Sequence, residues 1–227
     1  MKELGAMNTM HKNIIIPFDQ TKEYYIEVEN FKQKIAYEMI KRCFDILLSM
    51  IALLLLIIPM CVIALAIKCT SKGTVLYTQD RLGKDGKQFK IIKFRSMIDD
   101  AEKNSIQWCE KDDPRVTRLG VYLRKYHIDE LPQLWNIFIG DMSFVGPRPE
   151  RKCYYDAFET YIHGFHERLK VKPGLTGLAQ VSGDSFMRPE EKIIYDIEYI
   201  KKRSIWMDIR VLCRTFLTVI TGRHSDI

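Results

Sequence analysis

The sequence predicts an α+β fold: a small, mostly helical, membrane-associated domain with a β-hairpin, preceded by one long apolar helix. Three observations predict it. From Ile46 to Ile67 no residue is charged. Two β-prone runs flank a glycine turn just beyond that stretch. The rest of the chain alternates helical periodicity with proline- and glycine-rich loops. The 227 residues suffice for one domain and an appendage. With 47% hydrophobic and 28% charged residues, a packed core is expected and wholesale disorder is not. The net charge of +6 fits a phosphate-rich partner such as a nucleotide, an anionic lipid or a nucleic acid.

The chain divides into a polar extension (1–39), a membrane helix (40–70) and a following domain (71–227). The first twenty residues show no strong pattern. "KEYYIEVENFKQKIAYEMIKR" has the character of an amphipathic helix leading into the membrane. The uncharged run would be about 33 Å long as one helix, enough to cross a bilayer core. It starts too far from the N-terminus for a secretory signal and is followed by no small-residue cleavage site. Pro59 lies past its middle and removes a backbone donor, so a kink or break is expected there. Both flanks are basic: Lys41 and Arg42 before, Lys68, Lys72 and Arg81 after. Positive-inside logic therefore places both in the cytoplasm, which suits a re-entrant helix bent at Pro59. A single span with the extension outside is the other arrangement, and the physics of the run does not choose between them.

Val75 to Gln79 and Gln88 to Phe94 read as a hairpin around "GKDGK". Arg81, Lys84, Lys87, Lys90, Lys93 and Arg95 crowd onto it, a charge density suited to lipid head groups or a diphosphate. Asp113-Pro114 marks a turn, and Leu119, Tyr122, Leu123 and Tyr126 then recur at helical spacing. In "YHIDELPQLWNIF" two acids, Asp129 and Glu130, precede Pro132, a residue favoured at a helix start. Consecutive helical side chains diverge by about 100°. The two acids therefore cannot share a proton face to face, and unequal roles suit them better. Capping of the helix is the plainer use of such a pair.

"GDMSFVGPRPE" holds Arg148 between two prolines, which stiffens the loop and suits bidentate phosphate binding. Gly174, Gly177 and Gly183 fall in a loop-like run. In the helical tail, Ile205, Trp206, Ile209, Leu212, Phe216 and Ile220 form an apolar stripe for core, partner or membrane contact. The six cysteines form no C-x-x-C pair, and His163 with His166 is a weak metal signal. No RNA-platform or helix-turn-helix signature supports a nucleic-acid partner.

From about Lys41 onward the ordered series "KRCFD", "QDRLGKDGKQF", "KFRSM", "DPRVTRLG", "DELPQLWN", "GDMSFVGPRPE" and "KPGLTGLAQVSG" resembles the bacterial sugar transferase family. These are the small monotopic polyprenyl-phosphate phosphoglycosyl transferases. The resemblance implies transfer of a phosphosugar from a UDP-sugar to polyprenyl (undecaprenyl) phosphate with release of UMP. It implies Asp129 as nucleophile, Glu130 as the residue associated with Mg²⁺, and Arg148 as the main phosphate clamp. Lys93, Arg95 and Arg81 are further phosphate-binding candidates. It also implies a re-entrant helix broken at Pro59, with the catalytic domain on the cytoplasmic face of the bacterial inner membrane. Two departures stand out: Ile58 where serine commonly precedes the proline, and His127-Ile128 where Ser-Leu is common before the dyad. The competing expectation is a non-catalytic basic scaffold on the membrane surface.

Overall fold

The computed structural model describes residues 14–15, 21–26, 34–99, 106–107, 113–183 and 187–221. Its dominant element is α1, Ile35–Thr70, which begins before the expected boundary at residue 40. The helix continues through Pro59, so the expected break is absent from the backbone ladder. One proline removes a single helical hydrogen bond, and the turns on either side keep theirs.

α1 has two faces. Asp45, Ser49 and Ile67 are buried on one. Leu54, Leu55, Ile58, Val62 and Leu65 are exposed on the other. The buried face lies lengthwise on the rest of the protein. Ala52, Leu53 and Leu56 pack on Phe89, Ile91, Leu134, Ile137 and Met142. Further along, Met60, Ile63 and Ala64 pack beside Ile67, Phe94 and Leu123. From Asp45 to Ile67 the contact runs for about 33 Å.

Before α1, Ile14–Ile15 forms β1 and Tyr24–Tyr25 forms β2. The latter corrects the amphipathic-helix expectation at these residues, since Tyr24 and Tyr25 are extended; residues 27–33 lie outside the described set. The hairpin is as expected: β3 (Leu76–Leu82) and β4 (Gln88–Phe94) pair antiparallel, with Tyr77 opposite Lys93. A 3-10 turn over Lys84–Gly86 joins them, with Asp85 at φ 56°. β5 (Ile106–Gln107) pairs with β1.

Then come α2 (Arg118–Lys125) and a 3-10 turn (Ile128–Glu130), followed by α3 (Gln133–Ile139) and β6 (Ser143–Val145). α4 (Lys152–Glu159), β7 (Ile162–His163) and β8 (Gly174–Thr176) follow. The chain continues through α5 (Leu178–Ser182), α6 (Pro189–Lys202) and α7 (Ile205–Thr221). β2 pairs with β7 and β6 with β8, both parallel. The main core gathers Tyr155, Phe158, Tyr161, Phe165, Ile193 and Ile200 beneath α4, α6 and α7.

The tail stripe is split, with Leu212 packed against that core. Trp206, Ile209 and Phe216 are exposed, while Val211 points inward. Periodicity identifies an apolar face without saying which way it turns. The five described cysteines are free. His163 lies in β7, and His166 pairs with Glu159 at 2.6 Å.

Candidate active site

The dyad sits where the chain reverses between α2 and α3. α2 ends at Tyr126, and His127 takes the left-handed conformation at φ 52°. The 3-10 turn that follows places Asp129 and Glu130, both buried, just ahead of Pro132. Asn136 pins the start of α3 to the hairpin edge: its side chain donates to Lys90 O (2.8 Å) and accepts from Ile92 N (3.1 Å). The turn is thereby held against β4.

The two acids have unequal surroundings. Glu130 Oε1 accepts from Lys93 Nζ at 2.7 Å and from Arg148 Nη2 at 2.6 Å. Arg148 Nη1 approaches Oε2 at 3.5 Å. Burial alone would raise the Glu130 pKa, but Arg148 and Lys93 outweigh it and hold the carboxyl well below its usual range. Glu130 in turn raises the Arg148 pKa. Asp129 has no hydrogen bond or ion pair among the described residues. Burial pushes its pKa up, Lys93 pulls it down, and Glu130 opposes ionisation. One carboxylate is locked in a cation clamp, and the other is buried and uncommitted.

Arg148 is presented by a doubly braced loop. β6 and β8 lie so close that a Cβ on Gly174 would come within 2.1 Å of Gly146 N. Only glycine permits this approach, and Gly146 N bonds Thr176 O while Gly174 N bonds Pro147 O, each at 2.9 Å. The loop-like glycine run is therefore the partner strand of the P-R-P loop. From one side Arg81 donates to Pro149 O (3.1 Å) and pairs with Glu150 (3.0 Å). From the other, Arg168 donates to the carbonyl of Arg148 itself at 3.0 Å. Arg168 is fully buried and pairs with Asp196 at 2.6 Å.

Of the candidates, Asp129, Glu130, Lys93 and Arg148 converge. Arg81 braces the loop. Arg95 is placed elsewhere: it donates to Ser71 O (3.0 Å) and Ser71 Oγ (2.7 Å), tying the hairpin to the end of α1. Sequence reasoning missed Arg168 and Asp196. They lie 28 residues apart, and no local pattern announces a buried ion pair. It also missed Lys192, whose pKa is lowered by burial and by Arg148 against the opposing pull of Glu150.

Glu130 and Arg148 open onto a cavity of about 420 Å³, with Arg168, Lys192 and Asp196 at the same polar end. A separate cleft of about 470 Å³ beside Asp80, Arg81 and Lys152 does not reach the dyad.

Residues 36–222 match the family model described as bacterial sugar transferase. The chain belongs to this family. Among its relatives is the UDP-glucose:undecaprenyl-phosphate glucose-1-phosphate transferase of Escherichia coli (strain K12). The two are 42% identical over 189 residues, 81% of this chain and 40% of the relative. The UDP-N-acetylgalactosamine-undecaprenyl-phosphate N-acetylgalactosaminephosphotransferase of Aeromonas hydrophila is 41% identical, over 82% of this chain and 45% of the relative. The chain thus spans less than half the length of these two relatives. The exopolysaccharide production protein PSS of Rhizobium leguminosarum bv. phaseoli is 39% identical over 81% of this chain and is itself covered over 96%. The family match places the dyad and the P-R-P loop within a shared domain, while residues 1–35 lie outside it.

Proposed function

We propose that this chain is a membrane-bound phosphoglycosyl transferase. It moves a sugar-1-phosphate from a UDP-sugar to undecaprenyl phosphate and so begins the assembly of a polysaccharide or other glycoconjugate. The observation that carries this reading is the asymmetry of the dyad: a free buried Asp129 beside a Glu130 clamped by Lys93 and Arg148.

The chemistry follows from that asymmetry. An Asp129 carboxylate oxygen attacks the sugar-bearing phosphorus of the donor. The bond from that phosphorus to the bridging oxygen breaks, and UMP leaves with the electron pair. A phosphate oxygen of the acceptor then attacks the same phosphorus and displaces the Asp129 carboxylate, giving the lipid diphosphosugar. Neither step needs water or a proton. Arg148 and Lys93 sit where developing phosphate charge needs cations, and Arg148 offers a planar two-point contact.

Among the described residues no group of three or more metal-ligating side chains comes together. Mg²⁺ commonly uses one or two carboxylates and completes its shell with substrate phosphates and water. Asp129 and the less occupied Oε2 of Glu130 fit such an open site. When bound, the ion supplies neutralisation of the diphosphate.

The lengthwise contact between α1 and the domain supports attachment from one face. A spanning α1 would carry β4, α3 and β6, with Lys90, Lys93, Gln133 and Asn136 among their residues, into hydrocarbon along with it. Both ends of α1 then stay on the cytoplasmic side of the inner membrane, the outcome expected of a re-entrant helix, reached here with the helix unbroken at Pro59.

The test is UMP release by purified protein given UDP-sugars, undecaprenyl phosphate and Mg²⁺. Asp129→Asn abolishes it, and turnover in that variant overturns the nucleophile assignment. A single cysteine near the N-terminus in intact cells stays unlabelled by an impermeant reagent. Labelling from outside refutes one-face attachment.

A further inference from the structure

The cavity that opens at Glu130 and Arg148 has a second, apolar part that the reaction as written leaves without a role. Its walls are β6 and β8 on one side and α5 and α7 on the other: Phe144, Leu175, Ala179, Val181, Leu212 and Val219. Two of these tie it to the membrane helix. Phe144 and Leu175 pack in the same apolar cluster as Leu53 and Leu56 of α1. The opposite wall is the inner side of α7, whose outer side carries exposed Trp206, Phe216 and Leu217. One space therefore joins cationic groups, Arg148 and Lys192, to a hydrocarbon wall that packs on α1 and includes the inner side of α7.

A ligand that satisfies both ends carries a phosphate directly on a hydrocarbon. We infer that this cavity is the acceptor subsite. It holds the first isoprene units of the prenyl phosphate against α5 and α7, with the lipid phosphate at Arg148 and Lys192. This inference rests on the transfer reaction proposed above. A nucleoside is the less suitable occupant. The walls given by β8, α5 and α7 offer aliphatic side chains and threonine hydroxyls, Thr176 and Thr215 being bonded to each other at 2.7 Å, while the aromatic rings of the lining, Tyr126, His127 and Phe144, belong to other segments. The chain needs no route through water, because α1 and α7 already lead apolar surface to the cavity.

The covalent route separates the two substrates in time, and that makes the assignment testable. Donor alone yields one UMP per enzyme, and acceptor is needed only for turnover. Leu212→Trp and Val181→Phe each fill the apolar end without touching the dyad or its clamp. The expected result is an undiminished stoichiometric UMP burst with an acceptor KM raised about tenfold or more, the scale of excluding one or two buried hydrocarbon units. Loss of the burst, or a raised donor KM with an unchanged acceptor KM, assigns the cavity to the nucleotide and overturns the inference. Unchanged kinetics in both variants overturn it as well.

If either variant fails to fold, wild-type protein is photolabelled with a prenyl phosphate bearing a diazirine on its first isoprene. Labels in 178–183 or 205–221 support the inference, and labels confined to the outer face of α1 overturn it. Labelling needs no turnover. Wild-type protein that labels in the cavity but releases no UMP with any donor therefore counts against the proposed reaction and not against the subsite.

Discussion

Asp45 offers the sharpest test of how the membrane helix is joined to the site. Its side chain is buried, and its Oδ1 accepts from Ser143 Oγ and from Phe144 N, each at 3.1 Å. Asp45→Ala leaves both donors without this acceptor. An orphaned buried donor costs about 1–3 kcal/mol. The Ser143 hydroxyl can rotate toward another acceptor whereas the Phe144 N–H cannot, so the sum is about 2–4 kcal/mol. For a domain of this size each kcal/mol lowers Tm by about 2–4 °C, so a fall on the order of 10 °C is expected. Asp45→Asn keeps the acceptor oxygen and loses only the charge, so its loss stays below about 1.5 kcal/mol. Ser143→Ala added to Asp45→Ala costs little more, because the pair is already broken. The assay is thermal unfolding in detergent for the single and double variants. An alanine variant as stable as wild type, or an asparagine variant as damaged as alanine, refutes the reasoning. Because Phe144 lies in β6, four residues before Arg148 on the loop that follows it, kcat falls in the alanine variant and is largely restored in the asparagine one.

Arg148→Lys keeps the charge and loses the planar two-point contact with Glu130, so kcat/KM for UMP release falls about 100-fold while Tm changes little. An Arg148→Lys enzyme within a few-fold of wild type would remove the clamp from the mechanism. The dyad gives opposite stability signatures. Glu130 has a depressed folded pKa, so it stabilises above its unfolded value near about 4.3 and that contribution is lost as pH falls through the folded value. Asp129 has a raised folded pKa, so its ionisation costs stability once pH exceeds its unfolded value near about 3.9. At pH 7, Glu130→Gln therefore lowers Tm and Asp129→Asn raises it; thermal melts between pH 3 and pH 8 check both signs, and shifts in the same direction contradict the assignment.

What was legible in the sequence is what neighbouring residues can encode. A long uncharged run, a glycine turn between β-prone segments, and an arginine between prolines each carry their physics within a dozen residues. Asp129, Glu130, Lys93 and Arg148 were all named on such grounds or by resemblance, and the fold brings them together. Arg95 shows the limit: it stands two residues from Lys93, yet it ties down Ser71 while Lys93 reaches the dyad. Arg168 and Asp196 were illegible because burying an ion pair needs both partners, and their sequence separation hides that. Tyr24 and Tyr25 look helical beside the following acids and lysines, but the edge at Ile162–His163 makes them a strand, with Tyr24 N bonding Tyr161 O at 2.8 Å. An available edge in the tertiary structure outweighs a weak local preference.

The site is assembled on the membrane helix more than beside it. Lys93 comes from β4, whose last residue Phe94 packs on Ile67. The dyad turn rests on the same part of α1, through Ile128 and Leu131 in that cluster. α3, which follows the dyad, is capped at its far end by Arg42, which donates to Ile137 O and Phe138 O, both at 2.7 Å. β6, which leads to Arg148, is held by Asp45, and its Val145 O lies 3.2 Å from the Tyr199 hydroxyl, which donates at 2.8 Å to Asp208, the partner of Lys41. Asp129, Arg148 and Lys93 thus take their relative positions from contacts spread along one helix. A rigid rod is well suited to that task, because three segments docked on it cannot drift independently. This gives a physical reason for the longest and most apolar helix to lie against the dyad and its clamp, with polar anchors at Lys41, Arg42 and Asp45 setting its register.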